Sequence, residues 1–113
     1  MTDPVADHLR AAADCIDVNG WMQEGWHPDL RCVHLALADA GTGEAWIADT
    51  FDAARTALLR YLGLPTNQGA EPLWAWNDAP GRTHGEVTDT LRTVAKAIDE
   101  ARDFAEQALE GRP

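Results

Sequence analysis

The chain is short of basic side chains, strand formers and long apolar runs, and each shortage removes a class of protein. Nine lysines and arginines stand against 19 aspartates and glutamates in 113 residues, a formal charge of -10. Such a surplus repels phosphate backbones and anionic headgroups at long range, so direct binding to nucleic acid or to a membrane surface is not expected. The acidity lies mostly in the first half, where only Arg10 and Arg31 oppose the carboxylates up to Asp49. No apolar run approaches the roughly 20 residues needed to cross a bilayer. One tyrosine, two phenylalanines and few valines or isoleucines leave little from which to build a sheet. The only cysteines, Cys15 and Cys32, do not make a disulfide framework, and no apolar or basic leader is seen, so free thiols in a reducing cytoplasm are the expectation.

What is present favours helix. Hydrophobic residues at 45% and charged residues at 25% are ordinary for a folded domain, and abundant Ala, Leu, Glu and Arg sum to strong helix propensity. The reading is an all-α single domain over residues 1–113: a compact bundle of about four helices with a long C-terminal helix.

The first helix starts at Thr2 or Asp3, where a side-chain oxygen can take a first-turn amide just ahead of Pro4. Val5, Leu9, Ala12, Ala13 and Ile16 form its apolar stripe; Asp3, Asp7, Arg10, Asp14 and Asp17 form the opposite one, read as a solvated face. Asn19 and Gly20 end it. Residues 20–29 read as a loop whose tryptophans, Trp21 and Trp26, fold back on the core. Asp29 caps a second helix through Leu30, Val33, Leu37 and Ala40 to Gly41, although Val33, Leu35 and Leu37 also alternate as a strand would. Residues 42–48, with Gly43 and Trp46, form a loop or short strand. Asp49 or Thr50 caps a third helix carrying Phe51, Ala54, Leu58 and Leu62, and Gly63 stops it. After a polar linker, residues 72–76 form a single helical turn. Thr83 and Glu86 make a capping box, in which the Thr oxygen takes one free amide and the Glu side chain returns to the Thr amide. From there Val87, Leu91, Val94, Ile98, Ala101, Ala105 and Ala108 carry one helix to Leu109, about 39 Å long.

Chemistry concentrates at Trp74, Trp76, Asn77, Asp78 and Arg82, the candidate ligand or partner surface. On a structural reading, Asn77 and Asp78 bond to nearby amides, Arg82 pairs with Asp78, and Trp76 fills the core. On a functional reading they form a polar lip beside an aromatic wall, with Arg82 free for an anion and Asp78 as an acid or base. A lone Asp and Arg specify no reaction, so no catalytic residue is assigned. Cys32, His34 and His27 match no closed zinc pattern, and on a helix Cys32 and His34 would point about 200° apart. Neither metal nor cofactor is expected. His8 and His84 are read as solvated. The five tryptophans, Trp21, Trp26, Trp46, Trp74 and Trp76, could share a cleft for a flat apolar ligand.

Gly20-Trp21 with Gln23, then Cys32 in an apolar helix ending at Gly41, then Trp76-Asn77-Asp78-Ala79-Pro80-Gly81-Arg82-Thr83 with Glu86-Val87 resemble a family of small proteins of actinobacteria and their phages. The resemblance spans nearly the whole chain, and the Trp-Asn-Asp to Arg-Thr segment is its specific part. It implies a helical fold and marks that segment as distinctive, and it implies no activity. Met22 stands where such relatives would carry a small residue or cysteine, which argues against a thiol site.

The expectation is a small acidic cytoplasmic interaction or regulatory protein without catalytic activity. Its partner would be another protein, with a homodimer through the C-terminal helix as one form. The alternatives are a small-molecule-binding protein or accessory enzyme with a Trp-lined cleft near Asp78 and Arg82, and an acidic decoy that imitates DNA.

Overall fold

Residues 3–25, 27–40 and 48–110 are described by the computed structural model, with the backbone alone at Ala48 and Asp49. Trp26 and residues 41–47, which include the expected Gly41 stop and Trp46, lie outside the described residues. Among the described residues five helices run in order: α1 (Pro4–Asn19), α2 (Val33–Ala40), α3 (Ala48–Tyr61), α4 (Glu71–Asn77) and α5 (His84–Glu110). The all-α class holds, and the count is five rather than about four because the turn expected over 72–76 is a helix in its own right.

Local caps set the helix ends. The Asp3 carboxylate accepts from Val5 N at 2.8 Å and Pro4 follows it, which starts α1. Gly20 ends α1 at φ 100°, a conformation side chains disfavour, and its N–H donates to Ile16 O at 2.7 Å. Ala6, Leu9, Ala12, Ala13 and Ile16 are wholly buried along one face. His8 belongs to that face too, contrary to its solvated reading: it is buried, with Nε2 2.8 Å from Leu37 O of α2.

The start of α2 differs from its expected position at Asp29. Arg31 N–H donates to Gly20 O (2.8 Å) and Met22 N–H to Arg31 O (3.1 Å), so residues 20–22 and 31 form a lone extended rung. Backbone committed to that pairing cannot also turn as helix, and the helix begins only after Cys32. Cys32 is its N-cap: its carbonyl accepts from Ala36 N, and its Sγ lies 3.4 Å from Leu35 N.

The core joins α1 and α5 to the shorter helices through Leu9, Ile16, Val33, Leu37, Leu58, Leu59, Leu73, Val87 and Leu91. Along the rim of the α1–α5 contact the acidic stripe of α1 is solvent-exposed, as expected, but also paired. Arg92 reaches Asp14 (3.0 Å) and Asp17 (2.6 Å), His84 meets Asp17 (2.8 Å), Arg102 meets Asp3 (3.4 Å), and Arg10 of α1 pairs with Asp99 of α5. Arg92 first, then His84, hold the Asp17 carboxyl below its ordinary range; the Asp3 amide and then Arg10 do the same for Asp99. Exposed pairs like these contribute little individually. They lie along the edge of a contact whose centre is the buried apolar core.

At its far end α5 leaves the body. Val87, Thr88, Leu91, Val94 and Ala95 are buried and Ile98 packs against the core, whereas Phe104 is 74% and Leu109 66% exposed. Among the described residues, no helix is long and apolar enough to cross a membrane.

Candidate functional site

Asn77, the last residue of α4, organises the candidate site. It is fully buried, and a buried primary amide must satisfy two lone pairs and two N–H groups. Its Oδ1 accepts from Trp21 Nε1 (2.8 Å) and Val33 N (3.0 Å), and its Nδ2 donates to Met22 O (2.9 Å) and Asp78 Oδ1 (3.0 Å). The first two partners can only donate and the last two only accept here, so a single orientation of the amide satisfies all four. These bonds join three separate segments: the loop after α1, the first turn of α2 and the end of α4. The reading in which Asn77 bonds to nearby turn amides is therefore corrected. Its side chain caps another helix across the fold.

A strap completes the frame. Gln23 Nε2 donates to Asn77 O (3.1 Å) and Ala79 O (3.0 Å), and Glu24 N–H to Asp78 Oδ1 (2.9 Å). Glu24 at φ 51° and Gly25 at φ 79° then turn the chain in the left-handed region. For a residue with a Cβ that conformation is uncommon, and the bond to Asp78 holds Glu24 in it.

Between this strap, the start of α2 and α4 lies a cleft of about 370 Å³. Trp74 and Leu35 supply its apolar wall, Glu24 and Asp78 its carboxylates, and Cys32, His34 and Gly25 the remaining surface. Trp74 is 49% exposed there. Cys32 and His34 line the same cleft, in contrast to the 200° separation expected of two helical residues, because Cys32 precedes the first helical residue. Both cysteines are free thiols. No group of three or more His, Cys, Asp or Glu side chains suited to a metal ion occurs among the described residues.

His34 lies between two aromatic rings steeply inclined to its own, with ring centroids 5.9 Å from Phe51 and 5.9 Å from Trp74. Its Nδ1 is shut off from solvent and has no hydrogen-bond partner among the described residues. Burial, and secondarily the Arg55 guanidinium, lower its pKa. A histidine with a depressed folded-state pKa takes up a proton more readily when unfolded, so acid favours the unfolded chain. Stability is therefore expected to fall as pH drops from about 6.5 toward the folded-state pKa of His34. Melting temperatures measured from pH 7 to pH 5 should decline less in His34→Gln than in the parent chain; equal declines would remove His34 as the responsible group.

The five candidate residues divide. Trp74 and Asp78 line the cleft, and Asn77 fixes its frame. Trp76 and Arg82 pair with one another outside its lining, the Arg82 guanidinium lying 4.3 Å from the Trp76 ring centroid. Arg82 does not pair with Asp78: it donates to Trp76 O (2.9 Å) and forms an ion pair with Glu86 (2.5 Å). That pairing also corrects half of the capping box. Glu86 N–H donates to Thr83 Oγ1 (3.1 Å), but the Glu86 carboxylate turns to Arg82. The sequence does not place Glu24, Gln23 or His34 at this site, since nothing local connects residues 23 and 24 with 77–79: Glu24 goes unnoticed, and His34 is weighed only as a metal ligand.

No curated protein and no solved structure matches the chain. A protein-family model does match it, over residues 1–97, and the chain accordingly belongs to that family, DUF6197, a family of unknown function.

Proposed function

We propose that the protein is a small-molecule-binding module, with its ligand seated against Trp74 and Asp78 in the cleft between α2, α4 and the loop after α1. The observation that carries this reading is a cleft of about 370 Å³, within the range of ligand sites, whose walls are tied together by the buried Asn77 amide. A preformed frame lowers the ordering cost of binding. Cytoplasmic residence fits the free thiols and belongs to the same proposal. Trp74 is a built-in reporter: titration with a metabolite library should change the intrinsic fluorescence, and Trp74→Phe should abolish the change while leaving the melting temperature within a few degrees. Silence across the library would sink the reading.

The projecting end of α5 favours a second reading, a protein-interaction role. Phe104 and Leu109 stand exposed there on a helix flanked by Glu100, Asp103, Glu106 and Glu110. A homodimer through this end would bring like charges together. The residues beyond 97 also lie outside the family match. The engaged state of Asp3, Asp14 and Asp17 gives no support to a phosphate-imitating surface.

A further inference from the structure

The charges around the cleft are one-sided. Of its described lining residues, the charged ones, Glu24 and Asp78, are both acidic and no lysine or arginine is among them. The arginines around it are paired with other groups: Arg31 with Asp39 and the carbonyls of Pro28 and Leu30, Arg82 with Glu86 and the Trp76 ring, and Arg55, whose charge also reaches His34, with Asp52. His34, the histidine among the described lining residues, has a lowered pKa and so favours its neutral form.

The start of a helix would ordinarily favour an anion. Here two of the first three amides of α2 are already occupied, Val33 N by Asn77 Oδ1 and Leu35 N by Cys32 Sγ. Asp78 is arranged the other way. Its Oδ1 is held by Glu24 N–H and Asn77 Nδ2, while its Oδ2 makes no hydrogen bond among the described residues. One oxygen thus fixes the carboxylate and the other keeps its lone pairs.

Beside it stands an indole wall, half exposed at Trp74. The face of an indole is electron-rich and attracts cations. Among the described residues a guanidinium already lies over an indole, Arg82 over Trp76 at 4.3 Å, and another over a phenyl ring, Arg55 over Phe51 at 5.8 Å. The net charge of -10 adds a long-range field that draws cations and excludes anions.

From the apolar wall of Trp74 set beside the free oxygen of Asp78, in a cleft with no lysine or arginine among its described lining residues, we infer that the ligand is a flat organic cation with a guanidinium, amidinium or ammonium head. The ring stacks on Trp74 and the head meets Asp78, with Glu24 at the rim. This inference rests on the reading of the cleft as a small-molecule site and adds the sign of the ligand's charge.

Three probes of one shape and different charge test it: benzamidinium, benzamide and benzoate, titrated into the full chain by calorimetry and by tryptophan fluorescence. Benzamidinium should bind about tenfold or more tightly than benzamide, benzoate should not bind, and added salt should weaken the cation alone. Asp78→Asn should reduce the preference for benzamidinium over benzamide by about tenfold. Because Asp78 also holds the strap, Glu24→Gln is the companion variant; its side chain makes no hydrogen bond or ion pair among the described residues, and it should reduce the preference by a smaller factor. Equal binding of benzamide, tighter binding of benzoate, or no binding of benzamidinium would each overturn the inference. The ligand-site reading itself would fall only if the metabolite library were silent as well.

Discussion

Asn77→Ala is expected to destabilise the protein by about 3–5 kcal/mol, because the truncation leaves Trp21 Nε1–H, Val33 N–H and Met22 O without the partner that each has now. Every buried orphan costs about 1–3 kcal/mol, and partial entry of water keeps the sum below the maximum. Domains of this size are stable by only about 5–15 kcal/mol, so the loss is a large share of the whole. At about 4 °C per kcal/mol the melting temperature should fall by about 12–20 °C. Asn77→Asp sharpens the test. It keeps an oxygen for Trp21 and Val33 but sets a second carboxylate against Asp78, so it should be destabilised as well and should recover in part on mild acidification, when the repulsion is relieved. A shift of under about 2 °C in Asn77→Ala would show that the four bonds are dispensable and that the cleft has another frame.

The same helix supplies the second large effect and its own control. Leu91 is wholly buried and Leu109 is 66% exposed, both in α5. Leu91→Ala removes the same atoms as Leu109→Ala but leaves a cavity against α1, and should cost about 2–5 kcal/mol. Leu109→Ala should change stability by less than about 0.5 kcal/mol. Urea unfolding with a common slope would give both values. Comparable losses would mean that the end of α5 is packed in solution, which would point to a stable oligomer; a clean difference leaves that end free for a partner.

The helix ends were legible where one turn of backbone decides them. Asp3 with Pro4, Gly20, Gly63 and Thr83 act on amides and carbonyls within four residues, so neighbouring sequence carries the whole signal. His8, read as solvated, is buried: it stands four residues before Ala12, on the apolar stripe, and its polarity outweighed the position that the periodicity placed. Arg82 had two acids at the same spacing, Asp78 behind and Glu86 ahead. The rule of neighbours four apart applies within one helix, and only Glu86 shares one with the residues after Arg82. Asp78 closes α4, before the turn. For Cys32 and His34 the angular rule was sound but its premise was not, since the rung formed by Arg31 delays α2 to Val33.

The sequence by itself determined the all-α class, the stripes that meet in the core, the stops at Gly20 and Gly63 and the launch of α5 at Thr83, because each follows from propensity, periodicity and capping over a few residues. Tertiary structure alone decided that the α1 carboxylates face the basic side chains of α5, that Trp74 and Asp78 share a cleft while Trp76 and Arg82 pair outside its lining, and that Asn77 is its hub. Those outcomes depend on hydrogen bonds and ion pairs between segments more than 40 residues apart. Such pairings are selected by packing and by the cost of leaving a buried polar group unpaired, and neither acts until the helices have met.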